Sequence, residues 1–246
     1  MKFTQTEKKQ LMIYVLIAYG ITYVLGILMW YGYGKGLDLS AFPNAQMLYP
    51  AAGVMMAYLL TKKEDKKLPR IFYIFFVAMT AVSVVCTAAS VLAPKNIDIM
   101  GTPFSQWLLI LQYIMIGGSI IFWILLLVSG KEKRRAYGLN SSRWNLSVLM
   151  ILLFLGLYLL RFVIASALGG QLEAFKEIMA NPTTWIMFFS VMINFFLSVV
   201  AFFGEEYGWR YYLQPLLQKR FGLKGGVILL GCVWAVWHLP IDFFYY

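Results

Sequence analysis

The chain has 246 residues, 61% of them hydrophobic and 13% charged, with a mean hydropathy of +0.72. A soluble domain typically carries about 25% charged residues, so these values exclude a soluble globular fold. The net charge of +10 would suit nucleic acid, but no basic patch carries the aromatic or motif support such binding needs, and none is expected.

A helix rising 1.5 Å per residue crosses roughly 30 Å of hydrocarbon with about 20 apolar residues. Hydropathy predicts seven such spans, at 11–31, 42–61, 71–93, 107–129, 146–169, 185–212 and 225–242. Positive charge gathers at the N-terminus (Lys2, Lys8, Lys9) and then in alternate loops. Lys62, Lys63, Lys66, Lys67 and Arg70 lie between spans two and three. Lys131, Lys133, Arg134, Arg135 and Arg143 follow span four, and Lys219, Arg220 and Lys224 follow span six. The intervening loops hold Lys35, Lys95 and Lys176. This alternation predicts a multi-pass protein of the cell membrane, with its N-terminus and basic loops in the cytoplasm and membrane lipids as partners.

The first span is too long for a signal-peptide core and no small-residue cleavage pattern follows it, so it is expected to be retained. Cys86 and Cys232 fall within spans at different depths and read as small apolar fillers. Arg161, inside span five, is expected to snorkel to the outer interface. There is no repeat and no long linker. The expectation is one all-α domain over 1–246, a polytopic transmembrane helical bundle.

Chemistry concentrates at 202–242. Span six carries Glu205-Glu206-Tyr207-Gly208-Trp209-Arg210, and carboxylates within an apolar helix are costly. At 100° per residue Asn194, Ser198, Ala201 and Glu205 share a small, polar stripe predicted to face the bundle interior. Glu206 points elsewhere and has Arg210 four residues on, in the favourable acid-before-base order. Glu206 is thus expected to be neutralised by Arg210 and Glu205 to remain free, a desolvated carboxylate beside a like charge, which suits a general base. In span seven Gly231, Trp234 and His238 share one face, and Gly231 is expected to allow close approach. Pro240 removes a backbone N–H and frees a carbonyl, while Asp242 is a candidate partner for the imidazole. Counting from 225 puts His238 roughly 18–20 Å deep, while counting from 185 puts Glu205 near the cytoplasmic surface. The two meet only if span six is long and tilted, running on to about residue 212.

Glu205-Glu206-x-x-x-Arg210 followed by Trp234-x-x-x-His238 resembles the first two motifs of the CPBP family, the CAAX-protease and bacteriocin-processing (Abi) group of intramembrane proteases. The runs Trp209-Arg210-Tyr211-Tyr212-Leu213-Gln214-Pro215 and Trp237-His238-Leu239-Pro240 are similar to family text too. The resemblance implies an endopeptidase cleaving near the cytoplasmic membrane surface, acting on a peptide or membrane protein, either prenylated or bacteriocin-related. It implies that Glu205 activates the attacking water and that His238 holds water or the oxyanion, with Glu206, Arg210 and Trp234 in support. The family carries a third motif on a later span, with another histidine. His238 is the one histidine of this sequence, so at least one further helix is expected to complete the site.

A catalytic zinc takes three protein ligands plus water. The chain offers Glu205, Glu206 and His238 at most, without His-Glu-x-x-His, so no cofactor is favoured and zinc is the alternative. A competing reading is a non-enzymatic bacteriocin self-immunity protein that works by binding. A transporter is a third, but no repeat or paired broken helices support it.

Overall fold

The computed structural model describes residues 2–140 and 143–246. Contacts cluster into two compact units, Met1–Tyr137 with Leu197–Tyr246, and Gly138–Phe196. In the second unit, α8 (Trp144–Leu168) is followed by α9 (Leu172–Ala180) and α10 (Pro182–Leu197). The last two are bent by 71° at Asn181, where extended backbone and a following proline end the helix. Arg161 lies over the Tyr158 ring at 5.9 Å.

The first unit contains the motifs. A capping box between Thr4 and Glu7 starts α1 (Gln5–Val15), which passes through a π-helical turn, Leu16–Gly20, into α2 (Ile21–Gly34). The product is one 30-residue rod. The predicted span 42–61 is instead two pieces, α3 (Ala41–Gln46) and α4 (Tyr49–Thr61). At 13 residues α4 is only about 20 Å long, but α3 and α4 together run back along the rod, from Leu39 facing Gly32 near its far end to Thr61, which accepts from the Gln10 amide near its start at 2.8 Å. The predicted span is thus present as a broken one, and nearly every side chain from Tyr49 to Tyr58 is buried in protein. Small residues make that possible: a Cβ on Gly53 would sit 3.1 Å from the Tyr14 carbonyl oxygen.

Helices α5 (Arg70–Leu92) and α6 (Gln106–Val128) are joined by a two-stranded antiparallel hairpin, β1 (Asn96–Ile99) and β2 (Thr102–Ser105). These strands are a small addition to an otherwise helical fold. Helix α5 shows why the environment must be lipid. Its buried face carries Thr80, Ser83, Thr87 and Ser90, whose hydroxyls bond backbone carbonyls. Its exposed face carries Ile71, Ile74, Val82 and Val85. Polar side chains inside and aliphatic ones outside invert the aqueous pattern and satisfy every requirement of hydrocarbon.

After α7 (Lys131–Ala136), the first unit resumes with α11 (Val199–Glu206), a π-helical segment Tyr207–Leu213, and α12 (Gln214–Phe244). This 46-residue run is doubled back at Gly222, whose φ of 78° leaves the helical region. In a straight helix, residues eight apart lie about 12 Å apart along the axis, yet a Cβ on Gly226 would sit 2.6 Å from the Gln218 Cα. Higher up the same hairpin the Trp209 and Trp237 rings meet at 5.2 Å. The loop predicted between spans six and seven is therefore a turn at one glycine.

Among the described residues five helices are long and apolar enough to cross a membrane, or six if the bent α9–α10 pair is one span, and one of the five, Val199–Phe244, is the hairpin with two arms. Besides the broken second span, the run 185–212 is divided at Ser198 (φ −120°, ψ 17°), and the part beyond Ser198 is joined through Gly222 to the predicted seventh span. The protein is a multi-pass, all-α membrane protein.

Candidate active site

The helix that presents Glu205 is seated by two glycines one turn apart. A Cβ on Gly204 would overlap the Met47 carbonyl oxygen, and one on Gly208 would overlap Pro50. Both obstacles are backbone or a proline ring, so only glycine lets this helix lie directly on the start of α4. These contacts were not legible in the sequence, where Gly204 and Gly208 look like any other membrane glycines. Ala201 and Gly204 are buried and Glu205 is half-buried. The predicted polar stripe does not run continuously, because Ser198 leaves helical geometry and the 3.6-residue period cannot be counted through it.

On the opposite arm Pro240 has no N–H for the Val236 carbonyl, and the Tyr23 hydroxyl donates to that oxygen at 2.7 Å instead. Tyr19 donates to the Val233 carbonyl at 2.6 Å, and the Gln46 amide donates to that of Trp237 at 3.1 Å. The buried Trp237 indole in turn donates to the Ala18 carbonyl at 3.0 Å, within the π-helical turn of the first rod. A π turn disrupts the regular carbonyl ladder and often marks functional sites. Tyr19, Tyr23 and Gln46 thus clamp the His238 turn from outside, a set the motif reading did not single out, and Trp237 ties the turn to the first rod. Pro240 packs where a Cβ on Gly26 would be 3.0 Å from its own Cβ.

His238, half-buried, has Nδ1 3.0 Å from the Trp234 carbonyl. Its ring is 4.2 Å from that of Trp234 and perpendicular to that of Trp237 at 4.6 Å. Asp242, the expected partner of the imidazole, is exposed, and Nδ1 is taken by the carbonyl. Gly231 has open space around it, so the close approach expected there occurs at Gly226 instead. Across the hairpin, Trp234 and His238 lie within electrostatic reach of the Glu205 carboxylate, as do Glu206 and Arg210 on its own arm. Glu206 and Arg210 form an ion pair at 3.8 Å, with side chains 61% and 50% exposed, as their spacing predicted.

The depth mismatch is resolved by length. The Glu205 arm runs on past residue 212 to the turn at Gly222, so Glu205 and His238 stand at similar distances from it. The bonds from Trp237 to Ala18 and from Tyr23 to Val236 set this level at the middle of the Gln5–Gly34 rod. Glu205 is thus deeper than the end-of-helix position expected from residue 185.

Cys86 is buried and Cys232 exposed, both as free thiols. Among the described residues no three His, Cys, Asp or Glu groups come together in a way that could hold a metal ion.

Residues 182–246, which include both motifs, match the model of a family described as type II CAAX prenyl endopeptidase Rce1-like. The chain is also 30% identical over 109 residues to a protein named CAAX prenyl protease 2 from Methanococcus maripaludis. That stretch is 44% of this chain and 39% of the relative, so the chain spans well under half the length of the relative it matches. No solved structure matches. Both names are endopeptidase names; neither is that of an immunity protein. In the region that presents Glu205 and His238, the chain is similar to the Rce1-like type II CAAX prenyl endopeptidases, and the resemblance of its two motifs to the CPBP family is borne out.

Proposed function

We propose that this chain carries the water-activating part of an intramembrane endopeptidase of the CAAX-protease type. Glu205 removes a proton from water as the oxygen attacks a peptide carbonyl. The observation that supports this is the hairpin at Gly222, which puts Glu205, Trp234 and His238 side by side from opposite arms. Trp234 lies beside the carboxylate, and His238, whose Nδ1 is held by the Trp234 carbonyl, presents Nε2 to the water. Glu206 is engaged by Arg210, which leaves Glu205 as the acting base. Of the donors this chain offers to a zinc ion, Glu205, Glu206 and His238, Glu206 is paired with Arg210, and water activation is written on Glu205.

The names of the matched family and relative support a prenylated protein C-terminus as the substrate class. The proposed setting is the cell membrane, with the N-terminus and basic loops in the cytoplasm. The test uses the full natural chain in liposomes with a farnesylated CAAX peptide. Glu205→Gln should abolish cleavage while leaving expression and thermal stability intact, since an amide cannot take the water proton. A variant within a few-fold of wild type would remove Glu205 from this role, and a wild type that cleaves neither farnesylated nor geranylgeranylated peptides would sink the protease reading.

A further inference from the structure

A cavity of about 560 Å³ lies away from the Gly222 hairpin, at the start of α5 and the end of α6, where the basic loop 62–69 joins α5. Its lining is divided into two chemistries. Lys63, Lys66, Arg70 and Lys133, with Ser129, make the polar one. Leu68, Ile71, Phe72, Leu125 and Val128 make the other, and this wall continues onto the outer faces of α5 and α6, where Ile71 and Val128 are 73% and 72% exposed. Two acids also line the cavity, and Asp65 accepts from the Tyr137 hydroxyl at 2.5 Å and from the Lys67 N–H at 2.8 Å. Hydrogen bonds from neutral donors do not cancel its charge, so the four cations face two carboxylates, Glu64 and Asp65.

From this arrangement we infer that the cavity binds an anionic phospholipid, with its phosphate among Lys63, Lys66, Arg70 and Lys133 and the start of an acyl chain along Leu68, Ile71, Leu125 and Val128. The apolar wall favours a lipid over a free anion, because a phosphate ion leaves that wall bare whereas an amphiphile satisfies both sides. The polar side also belongs at headgroup level: Arg70 is the first residue of the membrane helix α5 and Ser129 the first beyond α6. Cations at a membrane surface attract anionic lipid with about 1 kcal/mol each, which corresponds to about fivefold in affinity per charge. The site does not depend on the protease reading.

The experiment measures lipid retention by native mass spectrometry, together with the melting temperature, on the full chain in detergent micelles doped with phosphatidylglycerol or phosphatidylcholine. Phosphatidylglycerol should be retained and should raise the melting temperature, and phosphatidylcholine should do neither. Lys133→Gln should weaken phosphatidylglycerol binding about fivefold, whereas Lys131→Gln, the same charge change on α7 but outside the cavity, should leave it unchanged. Val128→Trp keeps every charge and fills the apolar wall, and it should weaken retention as well. Equal retention of both lipids, equal effects of the two lysine changes, no effect of Val128→Trp, or a shift reproduced in full by millimolar inorganic phosphate would each overturn the site.

Discussion

A carbonyl oxygen can only accept, so the bond between His238 Nδ1 and the Trp234 carbonyl puts the proton of the neutral ring on Nδ1. Nε2 is then left with its lone pair. That tautomer lets Nε2 accept from a water whose other proton faces Glu205, and a doubly protonated ring lets it donate to an oxyanion. Either contribution appears in the transition state. His238→Ala should therefore lower kcat by about 10²-fold or more with KM little changed. A ring that only fills space against Trp234 and Trp237 would instead register as a lower melting temperature, and His238→Gln would restore most of the activity; that pattern in parallel kinetic and thermal assays would end its catalytic role. Glu205 and His238 stood out as candidates because charged and imidazole side chains are rare in apolar helices. The partner of Nδ1 was not legible, because Asp242 and the Trp234 carbonyl are each one helical turn away and only the side-chain rotamer chooses between them.

Among the elements, the two arms of the hairpin owe their placement to glycines that look alike in sequence and differ in what they touch. Gly208 faces the Pro50 ring and backbone, whereas Gly231 faces open space. Gly208→Ala should lower stability by about 1–3 kcal/mol, the usual range for overpacking a close contact, and should reduce cleavage by moving Glu205 away from His238. Gly231→Ala meets nothing and gains helix propensity, so it should be neutral or stabilising by up to about 1 kcal/mol. Thermal unfolding of the two variants in one detergent makes the comparison, and equal losses at both positions would show that the contact with Pro50 does not hold the arm. The π-helical segments were likewise invisible in the sequence. A π turn differs from an α turn by one residue of register, and hydrophobic periodicity does not resolve that.

Across the first unit, contacts bring the basic stretches to one end. Lys219 meets Glu7 at 2.6 Å, Gln10 meets Thr61 at 2.8 Å, and Tyr137 meets Asp65. The N-terminus, the loop before α5, the segment after α6 and the stretch before the Gly222 turn thus lie together, as alternation of charge requires of a protein with its positive loops inside. Reporter fusions at 62–69, at 131–137 and at Gly222 should therefore all register as cytoplasmic, and a fusion in the β1–β2 hairpin as external. A cytoplasmic signal from that hairpin, or an external one from any basic site, would overturn the proposed orientation.

Membrane class, the grouping of charge and the identity of Glu205 and His238 were determined by the sequence itself, since each depends on the cost of placing one residue type in hydrocarbon, a local quantity. The breaks within the spans and the meeting of the two motifs were decided only by tertiary structure. Residues 42–61 are apolar enough for one continuous span, but they form two helical pieces, the second buried in protein because α1, α5 and the Tyr207–Leu213 segment pack on it. Residues 213–224 are polar enough for a loop, but they stay helical up to Gly222 because Gly226 lets the returning arm close onto Gln218. Hydropathy measures the preference of a segment for lipid over water. It does not distinguish lipid from the packed interior of the same protein, and that choice depends on partners distant in the chain.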